Sequence, residues 1–284
     1  MNRSLRTLAL FAGLALTPAA AQYGPQYPMG DTNSYTALWW VPAESGWGLN
    51  TNHQGNVIFA TLFTYAPDGQ PMWLVAPNLG GVPSEGMYSG AIFRTTGPPF
   101  NQVPWTGIGF TEVGTMSIEF ATPGYAALTY TYNGVTVSKG VTRQVFGTPV
   151  PECSLVSGSR ADVFNYQDLW WNPAESGWGI NMVQQGTVIF ATLFTYAPGG
   201  RDMWLVAPGL TRQLDASYAG SLYSTTGPAF NASPWVPIGF SDVGTMTLRF
   251  SAGDRAVLTY TVNATSVTKN IERQVFGATA PACR

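Results

Sequence analysis

The sequence contains two copies of one unit, and this duplication constrains the fold more than any other feature. Residues 38–50 (LWWVPAESGWGLN) recur as residues 169–181 (LWWNPAESGWGIN), at an offset of 131. IFATLFTYAP and MWLVAP recur at the same offset, and TTGP, VGTM, LTYT and RQVFG recur at an offset of 130 after one deleted residue. Each unit is about 115 residues long, which is too long for a solenoid repeat. The duplication therefore predicts two tandem domains.

The predicted boundaries follow from the two copies and from the residues around them. We expect domains at 36–153 and 167–284, with a linker at 154–166 inside the Pro- and Ser-containing stretch 148–166. Residues 1–21 have the layout of a secretory signal: two arginines, a short apolar run, a proline and three alanines. We expect cleavage after Ala21 and an N-terminal linker at 22–35. The apolar run is too short to cross a bilayer, so we expect no membrane span after cleavage and a periplasmic or secreted protein.

The local pattern within each copy indicates β-strands. Apolar Met116, Ile118 and Phe120 alternate with polar residues, as in a strand with one buried face. Short turns such as Gln54-Gly55 and Asn133-Gly134 separate the strands. The strands predicted in the first copy are 36–40, 46–53, 57–66, 72–76, 87–94, 115–121, 126–132 and 135–146.

Eight strands in a meander form either an up-and-down barrel or a small sandwich. We favour the barrel, because closure removes exposed strand edges. The predicted class is thus all-β, with two homologous antiparallel barrels or small sandwiches of about eight strands each. Such a barrel is just wide enough for side chains or one small ligand.

Two resemblances extend this interpretation. The early Ser45-Gly46-Trp47-Gly48 and the late Arg143 of the first copy resemble lipocalin-like and avidin-like barrels, in which a last-strand arginine packs over a Gly-x-Trp tryptophan. That resemblance implies the barrel architecture. Over nearly all its mature length the chain is also similar to bacterial secreted proteins with WWxPxESGWG repeats, a group that implies no particular activity.

Composition excludes several functions. Only 10% of the residues are charged and the net charge is −2, whereas a typical soluble domain carries roughly 25% charged residues. Such a chain has no basic surface for a phosphate backbone, so we expect no nucleic-acid partner. A hydrophobic content of 45% is high enough for a packed core and speaks against disorder.

Catalytic and metal-binding motifs are scarce. The single histidine, His53, is replaced by Gln184 in the second copy, so we expect no metal, no cofactor and no catalytic triad. A less favoured alternative is a glycoside-active enzyme that uses Glu44, or its counterpart Glu175 in the second copy, as a catalytic carboxylate. Its partner in the first copy would be Glu112, provided that the two carboxyls lie roughly 5 to 10 Å apart.

Each copy contains one cysteine, at equivalent positions. A bridge within one domain is therefore impossible, and the simplest expectation is a disulfide between Cys153 and Cys283. An intermolecular bridge is the alternative, and the oligomeric state is left open.

All ten tryptophans form five matched pairs between the copies. Tryptophans supply a large buried area, so they serve either as core or as an aromatic platform for a ligand. Neighbours on a strand face opposite sides, so Trp39 and Trp40 cannot both be core of one barrel. Glu44, Lys139 and Arg143, with Glu175, Lys269 and Arg273, are charges that both copies retain. The predicted ligand-binding residues are Trp39, Trp40, Glu44, Trp47, Trp73 and Arg143 in the first copy, and Trp170, Trp171, Glu175, Trp178, Trp204 and Arg273 in the second.

These observations favour a secreted or periplasmic binding protein that recognises a carbohydrate or a small apolar ligand through its tryptophans. The main alternative is a structural or adhesive surface module whose tryptophans are core only. An outer-membrane barrel ranks lower, because Pro-containing loops such as 95–110 interrupt the strands.

Overall fold

Each copy folds into a closed antiparallel barrel of eight strands. The computed structural model describes residues 34–284, so the predicted signal at 1–21 and all but two residues of the linker at 22–35 lie outside it. The barrels confirm the predicted all-β class and decide for the barrel over the sandwich.

The strands of the two barrels correspond one to one. The first barrel consists of β1 (Ala37–Trp40), β2 (Gly48–Gln54), β3 (Val57–Tyr65), β4 (Pro71–Val82), β5 (Met87–Thr96), β6 (Gly109–Thr122), β7 (Tyr125–Tyr132) and β8 (Val135–Arg143), with a 3-10 turn at Pro83–Glu85. The short strand β9 (Cys153–Val156) follows it. The second barrel consists of β10 (Asp168–Trp171), β11 (Gly179–Gln185), β12 (Val188–Tyr196), β13 (Asp202–Arg212), β14 (Tyr218–Thr226), β15 (Gly239–Ala252), β16 (Arg255–Val262) and β17 (Thr265–Arg273), before β18 (Ala280–Cys283).

The first strand closes each barrel by pairing on both sides. In β1, Trp39 lies opposite Leu49 of β2 and opposite Arg143 of β8. Trp170 of β10 has the same position between β11 and Arg273 of β17. We call the end at which β1 or β10 begins the base of its barrel, and the other end its mouth.

The barrel interiors are packed cores. Met116, Ile118 and Phe120 point inward and are buried, as their alternation predicts. Trp39 and Trp170 fill the two interiors and are at most 1% exposed. Side chains therefore occupy the space in which a lipocalin-like barrel would hold a ligand.

Two pairs of strands are longer than predicted, because glycines that resemble loop residues lie within them. β4 extends to Val82, with a register shift between Val75 and Gly80. β6 begins at Gly109 and contains Gly114, whose φ is 153°. A Cβ there would lie 1.7 Å from a carbonyl oxygen of β7, so the close backbone approach requires glycine.

A two-stranded sheet joins the ends of the two copies. β9 pairs with β18, with Cys153 directly opposite Cys283. The predicted Cys153–Cys283 disulfide is confirmed, and its sulfurs are 2.04 Å apart. The stretch 148–166, predicted as a linker, thus contains an ordered strand.

Reciprocal glutamines add to this connection between the copies. Gln54 of β2 accepts the backbone N–H of Phe276 at 2.9 Å, and Gln185 of β11 accepts that of Phe146 at 2.8 Å. The tail of each barrel is thereby fixed to the other barrel.

Candidate functional site

The barrels meet along an apolar face formed by the outer sides of β3, β4, β12 and β13. Trp73 donates its indole N–H to the carbonyl of Thr195 at 3.2 Å, and Trp204 donates to Thr64 at 2.9 Å. Both tryptophans are buried. Each tryptophan therefore bonds to the opposite barrel, and these reciprocal contacts relate the two copies by an approximate two-fold axis.

The loop between the fifth and sixth strands of each barrel closes the mouth of the other barrel. Phe100 belongs to the core of the second barrel, and its N–H bonds to the carbonyl of Tyr196 at 2.9 Å. Phe230 belongs to the core of the first barrel and bonds to Tyr65 at the same distance. Each barrel core is therefore completed by a residue of the other copy.

The repeated SGWG motif receives these loops. Trp235 donates its indole N–H to the carbonyl of Ser45 at 3.0 Å. Gly46 has a φ of 110°, and a Cβ there would lie 2.5 Å from the Ile238 side chain. A larger residue would push the opposite loop away, which explains physically why this glycine and its counterpart Gly177 are both present.

Two clefts open at the rims of this face. Cleft A has Trp171 and Trp178 on one side and Trp73 on the other, with a volume of about 160 Å³. Cleft B has Trp40 and Trp47 opposite Trp204, with a volume of about 170 Å³. Residues of both copies line each cleft, so neither cleft exists in an isolated barrel.

The lining of cleft B recurs in full within that of cleft A, which also includes Thr61, Leu169 and Gly179. All thirteen residues that line cleft B have an identical counterpart in cleft A. The pairs are Trp40 with Trp171, Ser45 with Ser176, Gly46 with Gly177, Trp47 with Trp178, Phe63 with Phe194, Gln144 with Gln274, Phe190 with Phe59, Trp204 with Trp73, Val206 with Val75, Pro208 with Pro77, Thr225 with Thr95, Ile238 with Ile108 and Phe240 with Phe110.

One tryptophan pair differs from the other four in its hydrogen bonding. Eight indole N–H groups donate to protein acceptors. Those of Trp40 and Trp171 have no acceptor within the described part of the chain. Both side chains are half-buried and line the clefts. Each cleft therefore presents an aromatic ring with a free donor.

The remaining polar groups of the clefts are few. The Gln144 and Gln274 side chains lie at the rims of cleft B and cleft A. Beneath the clefts, Tyr65 donates to the Gly46 carbonyl at 2.7 Å and Tyr196 contacts the Gly177 carbonyl at 2.6 Å. Burial raises the pKa of both tyrosines to about 12, so they stay neutral hydrogen-bond donors.

The tryptophans and arginines among the predicted ligand-binding residues fall into three places. Trp40, Trp47 and Trp73, with their counterparts Trp171, Trp178 and Trp204, line the clefts. Trp39 and Trp170 line neither cleft and belong to the barrel cores, of which the partly cleft-lining Trp47 and Trp178 are also members. Arg143 and Arg273 lie at the bases, and Arg273 is 5.0 Å from the ring centre of Trp170. In the second barrel the last-strand arginine thus packs on the first-strand tryptophan, whereas the SGWG tryptophans Trp47 and Trp178 contact Trp235 and Trp105 of the opposite copy.

The predicted glutamates lie at the two barrel mouths. Glu44 pairs with Lys139 at 2.7 Å through Oε1 and accepts the Trp47 indole N–H at 3.2 Å through Oε2. Glu175 makes the same contacts with Lys269 and Trp178. Each carboxylate is thus bonded to a lysine and a tryptophan of its own barrel.

The described residues contain no group of three or more histidine, cysteine, aspartate or glutamate side chains that could hold a metal ion. Residues 34–284 also include no helix long and apolar enough to cross a membrane. No family model, no curated protein and no solved structure matches the chain. The internal comparison between the copies is therefore the main guide to the site.

Sequence reasoning missed the loops that complete the barrels. Phe100 and Phe230 were not predicted as core, because they lie in segments that look like exposed Pro-containing loops. The repeated TTGP block is the signal that marks them. A Cβ on its Gly97 would lie 2.3 Å from the ring of Tyr196, and a Cβ on Gly227 would lie 2.4 Å from the ring of Tyr65.

Proposed function

We propose that the protein is a binding protein with two equivalent sites. Cleft A and cleft B each take one flat, mostly apolar ring that carries a hydrogen-bond acceptor. The observation that carries this proposal is the free indole N–H of Trp40 and Trp171, at the same position in two clefts with matching linings. Packing between the barrels does not require an indole N–H, so an aromatic residue without this donor would fill the same space equally well.

The size of the clefts defines the ligand further. An engineered cavity of about 150 Å³ in another protein is large enough to hold benzene, and the clefts have volumes of about 160 and 170 Å³. One six-membered ring fits each cleft. A longer ligand would extend past Phe110 or Phe240, the exposed phenylalanines at the rims.

The chemistry of the walls favours an aromatic ring over a sugar. A pyranose has an apolar face but also several hydroxyl groups that need partners. Around Trp40, the polar side chains are those of Gln144, Ser45 and Thr225, and the rest of the lining is apolar. A ring with one or two polar substituents satisfies this cleft better.

Calorimetric titration with benzamide tests the proposal, with methyl glucoside as the carbohydrate probe. We expect two benzamide molecules per chain with equal affinity. Trp40→Ala and Trp171→Ala should each reduce the stoichiometry to one, and the double variant should bind none. Trp40→Phe keeps an aromatic ring but removes the donor, so we expect about 3- to 10-fold weaker binding at cleft B.

Two control variants separate binding from folding. Phe164→Ala removes an exposed aromatic residue outside the clefts and should leave binding unchanged. Trp39→Ala removes a buried core side chain and should cost about 3–5 kcal/mol of unfolding free energy, against about 1–2 kcal/mol for half-buried Trp40→Ala. If the double cleft variant binds benzamide like the wild type, the clefts are not the sites. If the wild type binds neither probe, the chain is a structural module instead.

We further propose that the protein is exported to the periplasm or secreted. A disulfide and the absence of an apolar membrane helix among the described residues are compatible with an extracellular location. The predicted signal sequence and the resemblance to secreted WWxPxESGWG proteins support the same location. The intact mass of the extracytoplasmic protein should equal that of residues 22–284, with Gln22 as the first residue. A full-length cytoplasmic product would contradict export.

A further inference from the structure

The bases of the two barrels differ around equivalent arginines. In the second barrel, Arg273 is enclosed: its Nη1 donates to Asp168 at 3.1 Å, and its other nitrogens donate to backbone carbonyls, including that of Gly253 at 2.6 Å. Arg160 from the linker adds a second contact to the same carboxylate. The buried Asp168 thus neutralises a guanidinium whose side chain is 1% exposed.

In the first barrel the equivalent arginine lacks that carboxylate. Ala37 stands at the position of Asp168, as the pairing of β1 and β10 shows. Within the described residues, the Arg143 side chain makes one hydrogen bond, from Nη2 to the carbonyl of Pro151 at 2.7 Å. Its remaining N–H groups have no acceptor among residues 34–284.

A pocket of about 190 Å³ fills the space in front of Arg143. Its walls combine the apolar surfaces of Trp39 and Pro123 with the hydroxyl-bearing Ser34 and Thr36. Among the described residues of the lining Glu152 is the only carboxylate, and it attracts Arg143 electrostatically without forming a hydrogen bond or close ion pair with it. A guanidinium with N–H donors that no described residue uses therefore borders a space large enough for a few carbon atoms.

We propose that this pocket is a carboxylate site, in which Arg143 binds the carboxylate of a small organic acid as Arg273 binds Asp168. Arginine presents two parallel N–H groups that match a carboxylate. The apolar tail of the acid would lie against Trp39 and Pro123. This site lies at the base of the first barrel, away from the clefts, and its existence does not depend on ring binding there.

Titration with propionate, followed by the NMR shifts of the Arg143 Nε–H and the Trp39 indole N–H, tests the proposal. Propionamide has nearly the same shape without the charge. At constant ionic strength we expect saturable shifts with propionate and at least 10-fold weaker binding of propionamide. Arg143→Gln should weaken propionate binding at least 10-fold.

The second barrel supplies a sharper variant. Ala37→Asp places the carboxylate of Asp168 in the first barrel, so it should occupy Arg143 from within and abolish propionate binding. This variant also keeps the test decisive if Arg143→Gln fails to fold. Glu152→Gln removes the one competing carboxylate and should tighten binding a few-fold. Arg255→Gln, at an exposed arginine of the second barrel, should change nothing.

Two results would overturn the proposal. Equal shifts with propionate and propionamide would show that charge is not recognised. Undiminished propionate binding by Ala37→Asp would show that the carboxylate binds elsewhere.

Discussion

The clefts between the barrels and the bases of the barrels differ in how closely the two copies agree. Every residue that lines cleft B is repeated in cleft A. At the bases, equivalent positions carry different residues: the first barrel has Ala37 where the second has Asp168, and His53 where the second has Gln184. Each residue of the shared face works against the other copy, so a change there affects two barrels at once. A base belongs to one barrel only and can change with its own neighbours.

A base substitution shows this local adjustment directly. Trp39 donates its indole N–H to the hydroxyl of Thr51 at 2.9 Å. Met182 replaces this threonine in the second barrel and offers no such acceptor. There Trp170 donates to the backbone carbonyl of Tyr166 at 3.0 Å. The buried donor stays satisfied in both barrels, by different partners.

The largest predicted effect tests the difference between the bases. Asp168→Ala gives the second base the residue of the first and leaves buried Arg160 and Arg273 without a carboxylate. Breaking a buried ion pair in this way costs about 3–5 kcal/mol. Urea unfolding measures the loss. The reverse swap, Ala37→Asp, should leave the unfolding free energy within about 1 kcal/mol of the wild type, and equal losses from both swaps would contradict the difference between the bases.

The second-largest predicted effect tests whether the two copies contribute equally to the shared face. Phe100→Ala and Phe230→Ala each empty the mouth of the opposite barrel, and each should cost about 3–4 kcal/mol, because a large buried side chain leaves a cavity. Thermal and urea unfolding should give the same loss for both variants. A difference above about 1 kcal/mol between them would show that the two mouths are not equivalent.

The smallest of these effects concerns pH and the first base alone. His53 is fully buried beside the Tyr88 hydroxyl, 3.0 Å from its Nε2, and burial lowers its pKa to about 4. The unfolded chain takes up a proton near pH 6.5 but the folded protein does not, so stability falls as the pH drops from about 6.5 to 4. The loss in that window should be about 2–3 kcal/mol.

His53→Gln gives the first base the residue of the second and should remove this pH dependence. The check is the unfolding free energy of wild type and variant at pH 7 and pH 4.5. Asp68 and Asp215, whose pKa values are lowered to about 2 by hydrogen bonds and neighbouring arginines, titrate below the window. An equal loss in both proteins would assign the pH dependence to other groups.

Much of the fold follows from local patterns. Alternation in 115–121 and Gly-containing turns predict strands, and closure of the meander predicts a barrel. Trp39 and Trp40 were predicted to face opposite sides, and Trp39 is core while Trp40 lines cleft B. The strand ends were less predictable. Gly80 and Gly114 look like loop residues in the sequence, but in the barrel they allow bulges and a close backbone approach.

The candidate site was only partly predictable, for a physical reason. Local pattern places Trp40 on an outer face, but which barrel it meets depends on contacts between residues more than a hundred positions apart. The loop that carries Phe100 resembles a solvated segment, since its apolar side chain finds no partner within its own copy. Its core position depends on the second barrel.

By itself, the sequence determined the duplication, the all-β class and the disulfide between Cys153 and Cys283, because these depend on repetition, short-range periodicity and cysteine count. Only the tertiary structure decided that the barrels exchange loops, that their interiors are filled, and that the clefts lie between them. Those features arise where two copies pack together, and packing across such distances leaves no local period in the chain.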